Sequence, residues 1–218
     1  MNFREVIKQT EKMLGAYRPH IEFPAEEFRR AAVLILLMDV QGEAHVLFTK
    51  RTETVEHHKG QISFPGGMQD PEDRTLEETA LREAQEEVGV PPQAVRLIGR
   101  SDDFYTITNF LVSPFVGELT EPAEFVPNDG EVAQILIVPL SLFLTDDKFE
   151  IRQWEYQGES YDVYYYHFNG EVIWGATALM MNRFVDLVFG YNPAPNPILQ
   201  DPRNLRYLIQ NQKKGAKL

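Results

Sequence analysis

Apolar residues recur at helical spacing in two segments of the chain, one at its beginning and one after residue 173. Residues 1–15 are predicted to form an amphipathic helix that ends at Gly15, because five positions repeat every three or four residues among charges: Phe3, Val6, Ile7, Thr10 and Leu14. A second helix is predicted over Trp174–Gly190, with its core stripe at Ala178, Met181, Val185 and Val188. Both stripes are typical of helices that pack on a sheet.

Between these helices, short apolar or alternating runs predict strands. Ala31–Met38 and Ala44–Lys50 are joined by a Gly-containing turn at Asp39–Gly42, which indicates a hairpin. Further strands are predicted at Val95–Ser101, Phe110–Leu119, Val132–Val138, Phe149–Tyr156 and Tyr161–Phe168. The fold class is therefore α+β with a mixed sheet.

The chain is long enough for one substantial core. It has 218 residues, 43% of them hydrophobic, and no internal repeat. Tyr191–Pro197 is rich in proline, which lacks a backbone donor and interrupts regular structure. We predict a single domain over residues 1–190 and a proline-rich linker with a C-terminal appendage over residues 191–218.

Charge and composition restrict the partners. A net charge of −12 opposes non-specific nucleic-acid binding, but a divalent cation can bridge an acidic protein to a phosphorylated small molecule. The chain has no cysteine, no signal-peptide pattern at Met1–Leu14, and no apolar run longer than the eight residues Ala31–Met38. A membrane helix needs about 20 such residues. We expect a cytoplasmic protein without a membrane partner, and a homodimer is compatible with the sequence.

Three glutamates in Arg82–Val90 are candidates for metal chemistry. Helical spacing brings Glu83, Glu86 and Glu87 to one face, where like charges repel unless a cation lies among them. Carboxylate oxygens suit Mg²⁺ or Mn²⁺. Three glutamates alone would equally fit a solvated acidic face. Upstream, Gly66 and Gly67 either allow a close backbone approach to a ligand or metal, or form an ordinary turn.

Taken together, Phe64–Gly67, Thr79–Glu83 and Glu86–Val90 resemble the Nudix box, G-x5-E-x7-R-E-U-x-E-E-x-G-U, where U is aliphatic. The resemblance implies an α/β/α sandwich with a mixed sheet and metal-dependent hydrolysis of a pyrophosphate linkage. It also implies metal ligands at Glu83, Glu86, Glu87 and the Gly67 carbonyl, with Arg82 orienting a neighbouring glutamate.

One departure from the box narrows the resemblance. Eight positions before Arg82 the chain has Arg74 instead of glutamate, and the spacing from Gly67 to Arg82 is one residue long. Asp70 and Asp73 lie in this stretch, and we expect them to be solvated turn residues. The longer Gly-Gly-x-x-Asp-Pro-x-Asp form resembles the coenzyme A pyrophosphatase branch.

Flanking residues extend this resemblance over roughly residues 30–190. Leu47–Thr52 and Gly60–Gly67 are similar to the branch signature L-L-T-x-R-S-x3-R-x3-G-x3-F-P-G-G. Three positions depart from it: Phe48 replaces a leucine, Thr52 replaces the serine, and Glu56 replaces the second arginine, which is the change that matters. Glu56 would repel the 3′-phosphate of coenzyme A if that position contacts it. Nearby basic residues that could compensate, or be solvated loop charges, are Lys50, Arg51, His57, His58 and Lys59. We predict Arg51 and His58, with Gly66 and Gly67, as substrate contacts.

Downstream, Asn128–Val132, Val138–Ser141 and Ile173–Thr177 are also similar to this branch. Related enzymes often take a further acidic group from a loop outside the box, and Glu131 is the candidate, although it also suits a plain strand start. Glu83 and Glu131 are both candidates for the general base. The resemblance implies cleavage of coenzyme A to 3′,5′-ADP and 4′-phosphopantetheine. Alternatives are hydrolysis of ADP-ribose, NADH or another nucleoside diphosphate derivative, and a non-catalytic metabolite sensor.

Overall fold

The computed structural model describes residues 1–21, 28–53, 60–106, 108–156 and 159–193. Within these ranges the helices are α1 Phe3–Ala16, α2 Leu76–Val88 and α3 Gly175–Phe189. The strands are β1 Arg29–Val40, β2 Glu43–Arg51, β3 Ile62–Ser63, β4 Gly66–Met68, β5 Val95–Arg100, β6 Phe104–Tyr105, β7 Phe110–Leu119, β8 Val132–Pro139, β9 Phe149–Tyr156, β10 Glu159–Phe168 and β11 Glu171–Trp174. No helix in the described ranges is long and apolar enough to cross a bilayer.

The larger sheet is mixed. Strands β3, β2, β1, β7 and β5 lie side by side in that order, while β8 pairs with β2, β4 with β1 and β6 with β7. The β1–β7 pair is parallel, and the other pairs are antiparallel. β2 pairs with the end of β1 at Leu37–Val40, and β4 pairs with its beginning at Ala31–Val33. The short strands β3 and β4 therefore lie where β1 and β2 separate.

β1 is buried on both faces, which makes it the centre of the domain. Alternate side chains point to opposite faces of a strand. Ala31, Ile35 and Leu37 join a buried cluster that contains residues of α1 and α3. The intervening Ala32, Leu34 and Leu36 join a second cluster with residues of α2. The helices thus cover the two sides of the sheet, and the predicted α/β/α sandwich is confirmed.

The last three strands form a separate antiparallel sheet in the order β11, β10, β9. Its inner face carries Phe149, Tyr166 and Ile173, which lie in the same buried cluster as α3. The Tyr166 ring contacts Phe143, with the two ring centroids 4.9 Å apart. Hydrophobic alternation in β9 and β10 does not distinguish them from the main sheet, so the second sheet is an addition to the predicted architecture.

The predicted helices and long strands are confirmed with shifts of a few residues at their ends. The hairpin turn is shorter than expected, because only Gln41 and Gly42 lie between β1 and β2, both at positive φ. Within the described residues, four short strands were not predicted: β3, β4, β6 and β11, each of two to four residues. Such strands are too short to show alternation. Residues 194–218 of the predicted appendage lie outside the described residues.

Candidate active site

Helix α2 is fixed at both ends by its sequence. Thr75 caps its start by accepting a hydrogen bond from the Glu78 backbone N–H at 3.2 Å. Gly89 ends it in the left-handed conformation, with φ of 74°. Leu76, Ala80, Ala84 and Val88 pack on the sheet. This fixed rotation carries Glu83 and Glu87 towards β4.

Gly66 and Gly67 are close to other groups for different reasons. Gly66 has φ of +155°, and an added Cβ would lie 2.3 Å from the Ala32 carbonyl oxygen, so the β1 backbone requires glycine here. At Gly67 an added Cβ would lie 2.5 Å from the carboxyl carbon of Glu83. The Gly66 backbone N–H donates to the Glu87 Oε2 at 3.2 Å. The two glycines therefore admit two α2 carboxylates against the backbone of β4.

Asp73 binds Arg82, and the expectation that Asp73 is a solvated turn residue is wrong. Its side chain is 6% exposed. It accepts hydrogen bonds from Arg82 Nε and Nη2 at 3.0 Å, from Thr79 Oγ1 at 2.9 Å, and from the Asp70 backbone N–H at 3.0 Å. The hydrogen bonds from Arg82, the largest cause, hold the pKa of Asp73 down at about 2. Asp70 is exposed as expected, with its carboxylate 3.7 Å from Arg82 Nη2.

Arg82 gathers the surrounding acidic groups. Its Nη2 lies 3.0 Å from Glu83 Oε1 and donates to the Met68 carbonyl oxygen at 3.0 Å. Its Nη1 donates to Glu86 Oε2 at 2.9 Å. The Glu86 side chain is 56% exposed, whereas that of Glu83 is 16% exposed. The three glutamates on the predicted face thus differ, with Glu86 outermost and oriented through Arg82.

Burial disfavours the charged forms of the two inner glutamates. The Glu87 side chain is 4% exposed, and its pKa is raised to about 8 by burial and by the nearby carboxylates of Glu83 and Glu131, although the Gly66 N–H and Arg51 oppose the shift. Burial also raises the pKa of Glu83, with further increases from Glu86 and Glu131 and an opposing effect of Arg82. These carboxylates repel one another in a partly dry environment, and a cation would relieve that repulsion.

The loop before β8 brings Glu131 to this cluster. The Asn128 backbone N–H donates to the Glu87 carbonyl oxygen at 2.9 Å, which docks the loop on the end of α2. Glu131 accepts a hydrogen bond through its carbonyl oxygen from the Thr52 N–H at 2.9 Å. Its exposed side chain acts on the pKa of both Glu83 and Glu87. Glu131 is therefore part of the same electrostatic cluster.

Arg51 lies on the other side of Glu87, at the end of β2. Its Nη1 is 3.9 Å from Glu87 Oε1, and its side chain is 26% exposed. The Arg51 Nε is buried and has no hydrogen-bond partner within the described residues. An arginine presents five N–H donors in a planar fork that matches a phosphate. This guanidinium retains unused donors next to the acidic cluster.

The donor set fits a hard divalent cation that is completed by other ligands. Within the described ranges, no three acidic or histidine side chains already form a metal-binding group. Arg82 instead binds the carboxylates of Glu83 and Glu86. Mg²⁺ is commonly held by one or two carboxylates together with waters and substrate phosphates rather than by a full protein cage. Buried Glu87 and nearby Glu83 suit that arrangement.

Comparison with known families identifies the domain. Residues 28–157, more than half of the chain, match the sequence model of the NUDIX domain. The chain belongs to the Nudix family. The prediction of a Nudix hydrolase, an enzyme acting on phosphorus-containing anhydrides, is confirmed, and the family generally requires divalent metal ions.

Relatives of this Nudix chain occur in bacteria and plants. The chain is 36% identical over 160 residues to the uncharacterized Nudix hydrolase NudL of Photorhabdus laumondii, covering 73% of the chain and 85% of that protein. It is 33% identical to the chloroplastic Nudix hydrolase 22 of Arabidopsis thaliana, covering 84% of the chain and 62% of that protein. Among solved structures, the Nudix hydrolase RenU of M. smegmatis is 26% identical with a TM-score of 0.45, covering 52% of this chain and 71% of RenU.

The structure changes the alignment of this sequence with the Nudix box at the position of the first glutamate. Asp73 lies six residues after Gly67, where the box has its first glutamate, and the extra residue falls between Asp73 and Arg82. Counting six positions forward from Gly67 identifies Asp73 as the residue at this position of the box. Counting back from Arg82 misses Asp73, because the extra residue lies between the two. Of the other predicted site residues, the structure brings together Arg51, Gly66, Gly67, Arg82, Glu83, Glu86, Glu87 and Glu131. His58, Glu56, His57 and Lys59 lie outside the described residues.

Proposed function

We propose that this Nudix hydrolase cleaves the diphosphate linkage of coenzyme A or its derivatives, releasing 3′,5′-ADP and 4′-phosphopantetheine. The observation that carries the proposal is the contact of Arg51 with the acidic cluster. Arg51 belongs to the sequence resembling the coenzyme A branch, and its Nη1 is 3.9 Å from the buried Glu87. A phosphate bound by Arg51 would lie beside the carboxylates that suit a metal.

The residues have separate tasks in this proposal. Glu83, Glu86 and Glu87 hold Mg²⁺ or Mn²⁺, with a carbonyl oxygen of Gly66 or Gly67. The ion supplies charge neutralisation at the phosphoryl oxygens and lowers the pKa of a bound water. Arg82, itself held by Asp73, keeps the carboxylates of Glu83 and Glu86 in place.

The proton of the attacking water needs an acceptor, and two glutamates meet the requirement. Glu83 lies against β4, and Glu131 reaches the cluster from the loop before β8. A general base typically contributes about 10²- to 10⁴-fold to the rate. The Glu131→Gln variant separates them: a large fall in kcat with unchanged metal affinity assigns the base to Glu131, and a small effect assigns it to Glu83.

A second candidate function is hydrolysis of ADP-ribose, NADH or another nucleoside diphosphate derivative. Glu56, in place of the branch's arginine, favours it, because a carboxylate opposes binding of the 3′-phosphate. A non-catalytic sensor is less well supported. Glu87 is a buried carboxylate among others, an arrangement that costs stability without a cation to offset it.

Three further proposals rest on the sequence. The domain spans residues 1–190, with residues 191–218 as an appendage. The protein acts in the cytoplasm on a small-molecule diphosphate and not on nucleic acid. Formation of a homodimer is compatible with the sequence, and sedimentation of the purified protein would detect it.

The test is a direct comparison of substrates. Coenzyme A, dephospho-coenzyme A, ADP-ribose and NADH are incubated separately with the protein and Mg²⁺ or Mn²⁺, and products are identified by mass. The highest kcat/KM for coenzyme A, with release of 3′,5′-ADP, is the expected result. A higher value for ADP-ribose or NADH would favour the second function, and no turnover of any of the four would favour the sensor.

A further inference from the structure

Two consecutive aspartates bind arginines on opposite sides of the sheet. Asp102 is paired with Arg183 of α3, whose Nη2 lies 2.9 Å from Asp102 Oδ2. Asp103 is paired with Arg100 of β5, and its Oδ1 also accepts a hydrogen bond from Ser113 Oγ at 2.6 Å. Both aspartates are buried, with side chains 6% and 1% exposed. The Asp102–Arg183 and Asp103–Arg100 pairs therefore have similarly buried aspartates but lie on different sides of the sheet.

The guanidinium of Arg183 is fully used within the fold. Its Nε donates to Asp102 at 3.0 Å, its Nη1 to Asp186 at 3.2 Å, and its Nη2 to the Tyr17 hydroxyl at 3.0 Å. Every nitrogen of this group has a partner. Arg183 therefore joins α1, the segment after β5, and α3 as a structural element.

The guanidinium of Arg100 is used only in part. Both of its hydrogen bonds start from Nη2, one to Asp103 and one to Ser113 Oγ at 3.1 Å. Its Nε is buried without a hydrogen-bond partner in the described part of the chain. The side chain stacks over the Phe115 ring, 5.2 Å from the centroid, and remains 17% exposed. Arg100 thus shares with Arg51 a buried Nε that the fold leaves unpaired.

Strand register relates Arg100 to the acidic cluster. Gly67 of β4 is opposite Ala32 of β1, which is opposite Ser113 of β7. Opposed residues on neighbouring strands share a face, and Glu83 lies over Gly67 on the α2 side. Two strand spacings put Ser113, and the Arg100 group bonded to it, about 10 Å from Gly67. That separation suits a second phosphate of the substrate, apart from the cleaved diphosphate.

We propose that Arg100 is a specificity-determining residue that binds a phosphate group other than the two in the cleaved linkage, such as a ribose 3′-phosphate. The assignment rests on the proposed function and deepens it, because Glu56 stands where the coenzyme A branch has an arginine. A phosphate would bind Arg100 through the part of its side chain that remains exposed. Asp103 holds the guanidinium in place through Nη2.

Binding of product-like probes tests the proposal without turnover. Affinities for 3′,5′-ADP and 5′-AMP are measured by calorimetry for the wild-type protein and for Arg100→Gln combined with Asp103→Asn, which avoids an unpaired buried charge. The control combines Arg183→Gln with Asp102→Asn on the opposite side of the sheet. We expect wild type and control to prefer 3′,5′-ADP by about tenfold or more, and the Arg100 variant to lose this preference.

Several results would overturn the assignment. They are an unchanged preference in the Arg100 variant, an equal loss in the control, and a wild-type protein that binds both probes equally or neither. Arg100→Lys, which keeps the charge without the fork, provides a second variant if the double substitution unfolds, and it should weaken the preference. Turnover of coenzyme A is measured in parallel to separate the two proposals. If the wild-type protein prefers 3′,5′-ADP but does not cleave coenzyme A, the proposed function is rejected and the role of Arg100 is not.

Discussion

Asp73 and Arg82 form a two-pronged ion pair, with Nε and Nη2 of the arginine each 3.0 Å from a different carboxylate oxygen of the aspartate. Such fork-to-fork contacts fix orientation as well as charge. Arg82 in turn contacts Glu83 and Glu86. The position of two candidate metal ligands therefore depends on an aspartate that contacts neither the metal nor the substrate in this account.

Asp73→Asn should destabilise the protein in a pH-dependent way. The folded-state pKa of Asp73 is held at about 2, below its ordinary value of 3.8. The carboxylate therefore contributes stability that is complete above pH 4 and is lost as the pH falls towards 2. The contribution is on the order of 2 kcal/mol.

Urea unfolding of wild type and Asp73→Asn between pH 2.5 and pH 7 measures this difference. Asp70→Asn is the matched control, since Asp70 is exposed and 3.7 Å from the same arginine. The wild type should exceed Asp73→Asn at neutral pH and converge with it in acid. A constant difference across the range would show that the Asp73 charge does not stabilise the fold.

Substitution of the two glycines in β4 should separate activity from folding. The atoms nearest to the new Cβ of Gly67→Ala belong to the flexible end of Glu83, so the carboxylate should move, turnover should fall and the fold should be kept. Gly66→Ala meets the β1 backbone at positive φ and should prevent stable folding. Gly15→Ala in α1, with nothing within 4 Å of the new Cβ, should stabilise the protein by about 0.5–1 kcal/mol. Circular dichroism and turnover of the three variants check this order; full activity of Gly67→Ala would contradict it.

Divalent ions should stabilise the wild-type protein through Glu87. A ligand at 100 times its Kd adds about 2.7 kcal/mol to the free energy of unfolding, which is a shift of a few degrees in Tm. Glu87→Gln removes a buried carboxylate from the cluster and should lose most of the shift. Thermal unfolding with Mn²⁺ or with EDTA measures it, and Glu77→Gln, on the exposed start of α2, is the control. An equal shift in Glu87→Gln would place the ion elsewhere.

The sequence predicted the frame of the site but not its internal contacts. Helical spacing indicated that Glu83 and Glu87 lie together, because residues four apart in a helix share a face. The role of Asp73 depends on a long side-chain contact across an insertion, which spacing rules do not reveal. Arg100 depends on strand register and on its partners Asp103 and Ser113, which come together only when β5 and β7 pair.

The most direct test of the central claim is cleavage of coenzyme A by variants of α2, followed by mass detection of 3′,5′-ADP at saturating Mg²⁺. Glu83→Gln, Glu86→Gln and Glu87→Gln each keep side-chain shape and remove one charge of the cluster, while Glu77→Gln removes a charge outside it. Wild type and Glu77→Gln should release 3′,5′-ADP, and the three cluster variants should be slower by about 10²-fold or more, equivalent to roughly 3 kcal/mol in the barrier. Undiminished cleavage in the folded cluster variants would contradict the assignment of the reaction to these glutamates.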